Sequence, residues 1–279
     1  MNKLYKFVKS KFLFTKKLPD LNYLETHLTD HCNLNCKACN HFCPISEPDF
    51  NNIEVFSNDL AVISKLFNVK KLRLLGGEPL LHPEIKEFVK KARQFLPNCD
   101  LRIVTNGLLV KSMDEVFWEC CRDNNVTIDL SKYPIVKNFD EIITTIKLQN
   151  VNVGHINEIS EFWVSLNPRG DSDISNTFQN CECFRECVTL YKGKIYKCPI
   201  GAYIFKYNNF YGESIPEETG IDIKKSTAQH IINYLNTPME TCRFCYMPAT
   251  RWDRCQWDFS RKEKYECFNV KNLSFEGKS

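Results

Sequence analysis

The chain of 279 residues carries almost no net charge: 37 lysines and arginines against 34 aspartates and glutamates leave +3. So small a bias gives no reason to expect a nucleic-acid partner. A secretory signal is missing as well. The N-terminus is rich in lysine, but its longest apolar run is Phe12-Leu13-Phe14, too short for the core of a signal peptide or for a membrane span. Neither an internal repeat nor a low-complexity tract is present, which sets aside solenoids and disordered tracts.

What the chain has in excess is cysteine, fifteen in all. They gather at Cys32/Cys36/Cys39/Cys43, at Cys181/Cys183/Cys187/Cys198 and at Cys242/Cys245/Cys255/Cys267. A disulfide framework normally accompanies secretion, so the expectation is a cytoplasmic protein whose reduced thiols hold metal. Apolar residues make up 43%, with 20 Phe and 11 Tyr, enough for one large domain, or one large and one small.

Residues 1–20 interleave Lys3, Lys6, Lys9, Lys11, Lys16 and Lys17 with Leu4, Phe7, Val8, Phe12 and Phe14. This basic amphipathic extension could make a weak membrane-surface contact. The preferred reading is a helix laying its apolar face on the domain. From residue 21, short apolar runs at 23–28, 72–75, 101–104, 126–130, 151–155 and 162–166 read as strands. Helical patterns at 54–67, 84–95, 113–121 and 139–146 lie between the first five. Repeated strand–helix units mean a parallel sheet with crossover helices. The stretch is too short for a full eight-fold barrel, so the expected fold is α/β, a partial (β/α)6 TIM-like barrel over 21–170. Alternation stops near Pro168–Gly170, and 171–279 is expected to be a small cysteine-rich domain.

Directly after the first strand stands Cys32-Asn-Leu-Asn-Cys36-Lys-Ala-Cys39. Three thiolates on one tight loop can hold three irons of a [4Fe–4S] cubane and leave the fourth iron open. Zinc sites favour paired knuckles and four ligands. Gly76-Gly77-Glu78-Pro79 ends the second strand and Thr105-Asn106-Gly107 the third. In this context the sequence resembles the radical SAM superfamily. The resemblance implies that the open iron chelates the amino and carboxylate groups of S-adenosylmethionine, and that Gly76, Gly77, Glu78 and Pro79 bind its amino group. It also implies cofactor contacts from Asn106 and, by position, Ser131. The residue before the third cysteine is usually aromatic in the family but is Ala38 here, so Phe42 is the candidate to pack the adenine.

The second cysteine group has Gly193 and Cys198 on a segment, 191–198, that reads as a β-hairpin turning at Gly193. It resembles the SPASM and twitch auxiliary-cluster extensions of radical SAM enzymes. A full SPASM pattern would place a cysteine at 251, where Arg251 stands, so the shorter twitch type with one auxiliary [4Fe–4S] cluster is implied. Its ligands would be Cys198, Cys242, Cys245 and one of Cys181, Cys183 or Cys187, with Cys187 preferred because it shares the hairpin with Cys198. A four-cysteine structural zinc site is the runner-up.

Cys255 is a candidate hydrogen donor, as in radical SAM epimerases, or a buried structural cysteine; Cys267 is the next such thiol, and Trp252 and Trp257 flank Cys255. Cys99, Cys120 and Cys121 read as packing. Cys43, His31, His41 and His155 stay without a role. The motif around Cys32–Cys39, with a single-auxiliary-cluster tail, looks like family members of sugar, aminocyclitol and surface-glycan biosynthesis. The resulting expectation is a radical SAM oxidoreductase or epimerase. It would dehydrogenate or epimerise a carbohydrate-like small molecule and take electrons from a donor such as flavodoxin or ferredoxin. Peptide modification is the rival within the enzyme class. A non-catalytic iron–sulfur or zinc scaffold is the rival outside it.

Overall fold

The computed structural model describes residues 17–181, 187–246 and 254–264. Residues 1–16, and with them most of the basic extension, lie outside the described residues, as do Cys183, Trp252 and Cys267. Strand–helix alternation begins where the apolar runs begin. After a short β1 (Asp20–Leu21) come β2 (Leu24–Thr29), α1 (Ile53–Leu66), β3 (Asn68–Val69) and β4 (Lys71–Gly76). Then follow α2 (Ile85–Phe95), β5 (Asp100–Thr105), α3 (Glu115–Asp123), β6 (Thr127–Lys132), α4 (Phe139–Leu148) and β7 (Asn152–Glu158). The four helices open as the expected patterns place them. Asn52 caps α1 by accepting from the amides of Glu54 and Val55, and Asp114 caps α3 through Phe117 N, each filling an orphan donor of a first turn.

Strands β2, β4, β5, β6 and β7 pair in parallel in that order. Their side chains alternate between two faces. Leu24, Leu28, Leu72, Leu74, Leu101, Ile103, Ile128 and Leu130 pack outward under the helices, against Phe56 of α1, Phe88 of α2, Phe117 of α3 and Ile142 of α4. Cys99, Cys120 and Cys121 are buried in this same core, as the sequence implied. The intervening residues face inward and are polar near the strand starts: Glu25, Arg73, Arg102 and Asp129. Arg102 Nη1 donates to Asp129 Oδ1 at 2.8 Å, and Arg73 Nη2 pairs with Oδ2 at 3.0 Å without hydrogen-bond alignment. Asp129→Ala is therefore expected to cost roughly 3 kcal/mol in urea unfolding, the low end for breaking a buried pair, since both guanidinium groups keep some solvent contact. A loss below about 1 kcal/mol, the worth of a surface pair, would show that this polar plug carries little.

The sixth expected strand does not join the sheet. β8 (Glu161–Trp163) starts only two residues after β7 ends, whereas a parallel connection needs a dozen or more. It pairs instead with β12 (Arg254–Gln256), antiparallel, as a separate two-stranded sheet. The chain then forms α5 (Ile174–Gln179), β9 (Thr189–Tyr191), β10 (Lys194–Tyr196), α6 (Pro199–Tyr211), β11 (Ile221–Asp222) and α7 (Ala228–Leu235). β9 and β10 are the hairpin expected at Gly193. Its two-residue turn has Lys192 and Gly193 both at positive φ, +44° and +78°, the primed geometry that suits strand twist. β9 lies parallel to β2 on its free edge, so the partial barrel-like sheet runs on past residue 171 and ends β9–β10–β11. Among the described residues no helix is long and apolar enough to cross a membrane.

Candidate active site

The carboxyl ends of parallel strands are where barrel active sites assemble, and here the three sequence motifs meet. A cavity of about 230 Å³ is lined by Cys32, Cys36 and Cys39, by Gly76 and Gly77, and by Asn106 and Ser131. His41, Cys43, Tyr133 and Phe162 complete much of its wall.

The cysteine loop is held to the ends of β4 and β5 by a short chain of contacts. Gly77 N donates to Thr29 O at 2.8 Å and Glu78 N to His31 O at 2.9 Å. The approach is so close that a Cβ on Gly77 would stand 2.1 Å from His31 O. Glu78 is fully buried, and its carboxylate accepts from Leu80 N, Thr105 Oγ1 and Asn106 N. Burial raises its pKa to about 7, against those hydrogen bonds. Asn106 donates to Asn33 Oδ1 at 2.7 Å and accepts from Leu108 N at 3.0 Å.

These contacts revise the roles expected from sequence. Glu78 and Pro79 do not line the cavity; the carboxylate is consumed in tying β4 to β5, so the backbone of Gly76-Gly77 is what the segment offers. The Asn106 side chain anchors the cysteine loop through Asn33, a residue that no local motif singled out. Phe42 is also elsewhere: it is buried in a second core with Tyr207 and lines a neighbouring cavity. Tyr133 and Phe162 are the aromatic rings at the site. Ser131 lines the cavity.

Two of the three sulfurs, those of Cys32 and Cys36, sit in surroundings hostile to a bare thiolate. Burial pushes the Cys32 thiol up to about 12 and the Cys36 thiol up to about 11. Cys43 donates to Cys39, which draws the Cys39 thiol down and pushes Cys43 up. Thiolates at Cys32 and Cys36 need positive charge from bound metal. Among the described residues, no three Cys, His, Asp or Glu side chains converge on a point that could hold one metal ion. Three thiols facing one cavity without meeting at a point fit a cluster several ångströms across better than a single ion.

Behind the cavity wall lies a buried chain of polar groups. His41 Nδ1 meets His27 Nε2 at 2.6 Å, His27 Nδ1 meets Asp30 Oδ1 at 2.9 Å, and Lys206 Nζ stands 2.8 Å from that oxygen. Burial alone would raise Asp30, but the His27 hydrogen bond and Lys206 hold it at about 2. Burial lowers both imidazoles, His41 the further, so they are neutral near pH 7. His31 contacts Phe50 edge-on, and His155 N donates to Asp129.

Of the tail cysteines, Cys198 caps α6 by accepting from Gly201 N, Cys242 is buried, and Cys245 packs against the core that contains Cys198. The charge of Cys181 acts on Cys242. That of Cys187 acts on Tyr23, at the start of β2. Cys255 is buried directly across from Phe162 in the β8–β12 pair; Phe162 lines the cavity and Cys255 does not.

Residues 26–133 match the family profile of the radical SAM superfamily. A GTP 3′,8-cyclase of Microcystis aeruginosa is 33% identical over 131 residues, covering 44% of this chain and 38% of that protein. A probable GTP 3′,8-cyclase of Pyrococcus abyssi is 30% identical over 128 residues, 44% of this chain and 41% of that protein. The match thus spans about two-fifths of the length of these curated relatives. Among solved structures, BtrN in complex with AdoMet and 2-DOIA superimposes with a TM-score of 0.50 at 15% identity, covering 83% of this chain and 95% of that one. Identity that low shows the fold alone.

Proposed function

Residues 26–133 of this chain are a radical SAM domain, and from that premise we propose that the protein removes a hydrogen atom from a neutral, carbohydrate-like alcohol. A domain of this family uses a [4Fe–4S] cluster with S-adenosylmethionine, which together supply a 5′-deoxyadenosyl radical. The residues of the chain then have separable tasks. Cys32, Cys36 and Cys39 hold three irons. The backbone at Gly76-Gly77 and the Ser131 hydroxyl meet the polar groups of S-adenosylmethionine, while Asn106 and Glu78 hold the loop in place. Tyr133 and Phe162 give its adenine an apolar wall and keep water away.

A second cluster is assigned to Cys198, Cys242 and Cys245 with Cys181 as fourth ligand, since Cys181 stands near enough for its charge to act on Cys242. Dehydrogenation is favoured over epimerisation because Cys255, although paired with Phe162, is not on the cavity wall. In dehydrogenation the 5′-deoxyadenosyl radical would take a hydrogen atom from the substrate carbon; the resulting radical would pass one electron to the second cluster and its hydroxyl proton to water, leaving a ketone and 5′-deoxyadenosine. Flavodoxin or ferredoxin is the class of reductant proposed to feed the first cluster.

The observation that carries the substrate reading is the chemistry of the wall. Apart from the cysteines, every polar side chain that the described residues bring to the cavity is uncharged at pH 7: Asn40, His41, Thr105, Asn106, Ser131 and Tyr133. Such a wall suits hydroxyl groups. A triphosphate wants arginine or lysine, so the GTP of the relatives' names is the second reading. Reduced protein, given S-adenosylmethionine and panels of amino sugars, aminocyclitols, nucleotides and peptides, is expected to accelerate 5′-deoxyadenosine release most with a neutral cyclic polyol. Acceleration by GTP alone, or by a peptide alone, would sink this substrate class.

A further inference from the structure

A C-terminal strap crosses the loop that carries Cys32, Cys36 and Cys39. After β12, Lys37 N donates to Asp258 O at 2.9 Å, Ser260 N donates to Asn35 O at 2.7 Å, and Asn35 Nδ2 donates to Ser260 O at 2.8 Å. Trp257 immediately precedes these anchor points. Its amide donates to Ser160 O at 2.9 Å, and its ring is wedged between Tyr133 and Phe259, with centroids 5.9 and 5.2 Å away. This fixes the indole so that Nε1 stands 3.3 Å from Cys36 Sγ. Indole nitrogen is a donor only, so the sulfur is the acceptor.

We propose that the Trp257 N–H···Sγ hydrogen bond to Cys36 raises the reduction potential of the cluster held by the loop. The proposal rests on the function assigned above. Reduction adds one electron to the cluster, and part of its charge falls on the thiolate sulfurs, where a donor stabilises it. Hydrogen bonds to sulfur are among the factors that set iron–sulfur potentials. In a half-buried wall of uncharged groups, one fixed dipole counts for more than it would in water. Each sulfur of the loop has its own donor: Leu34 N for Cys32 at 3.4 Å, Cys43 for Cys39, and Trp257 for Cys36. Only the last comes from outside the cysteine segment. The strap is thus a positioning element, and Trp257 acts on the chemistry through Cys36.

The test is a redox titration of the full chain, reconstituted anaerobically and followed by electron paramagnetic resonance on the signal that changes when S-adenosylmethionine is added. Trp257→Phe keeps a ring between Tyr133 and Phe259 and removes the donor. The expected result is unchanged iron content with about tenfold less reduced cluster at a fixed potential, a downward shift of about 59 mV for one electron. Benzothienylalanine at position 257 keeps the shape of indole and replaces N–H by sulfur, so it must give the same shift even if the phenylalanine variant packs poorly. Both substitutions should also remove an exchangeable-proton coupling to the reduced cluster. An unshifted potential in the iron-loaded benzothienyl variant overturns the proposal. A parent protein that loads no iron on the loop overturns the function and this proposal together; a loaded parent with no shift in its variants overturns this proposal alone.

Discussion

Replacing Cys32, Cys36 and Cys39 together by alanine is expected to reduce 5′-deoxyadenosine formation to background and to lower the iron content by about four per chain, one cubane cluster. The three cysteines line one cavity together with Gly76-Gly77, and each substitution would remove one of three iron ligands. The variant should keep its fold, because the loop hangs from the sheet through Gly77 N, Glu78 N and Asn106 rather than through the cysteines. About four irons should remain on the tail at Cys181, Cys198, Cys242 and Cys245, the content of one further cubane. Zinc there in place of iron would make the tail a structural zinc module. Undiminished cleavage of S-adenosylmethionine would remove the loop from the chemistry altogether.

Gly77→Ala is expected to damage the same site without touching a ligand. Its Cβ would meet His31 O at 2.1 Å, His31 C at 2.5 Å and Cys32 Cβ at 3.0 Å. Backbone atoms cannot swing aside, and the amides of Gly77 and Glu78 are themselves bonded to Thr29 O and His31 O. The segment that gives way is the loop carrying Cys32. A displacement near 1 Å in a reacting constellation costs on the order of a hundredfold in rate, and the iron of the first cluster should load poorly. Gly212→Ala is the control. Gly212 ends α6 at φ +67°, and a Cβ there would have nothing within 4 Å of it. The substitution should cost only about 1 kcal/mol of stability and leave cleavage intact. Equal activity in the two variants would mean that the close approach at Gly77 is not what holds the loop.

How far these features could be read in sequence depends on the range over which each is encoded. Strands β2, β4, β5 and β6 were legible because Leu24/Leu28, Leu72/Leu74, Leu101/Ile103 and Ile128/Leu130 repeat at the period of a strand and two of the helices between them, α1 and α3, carry side-chain caps. The sixth strand misled because its composition is strand-like while its link to β7 is too short for a crossover, a constraint that lies in the spacing and not in the residues. The meeting of Cys32–Cys39 with Gly76-Gly77 and Ser131 was legible because each motif follows a strand, and parallel strands bring their ends together. What each motif residue does was less so. Glu78 looks like a ligand in sequence, yet three protein donors consume its carboxylate. Cys187 shares a hairpin with Cys198, while Cys181 is the one whose charge reaches Cys242. Trp257 stands beside Cys255 in the chain, while its indole reaches Cys36, 221 residues away. No local pattern encodes a contact of that range.

The most direct measurement is made on the parental protein. Reconstituted with iron and sulfide, reduced under anaerobic conditions and mixed with S-adenosylmethionine, it is analysed by liquid chromatography for 5′-deoxyadenosine. The expected result is 5′-deoxyadenosine in at least stoichiometric amount from the parent and none above background from the triple alanine variant at Cys32, Cys36 and Cys39. A parent that carries a reduced cluster on this loop and still leaves S-adenosylmethionine intact would contradict it.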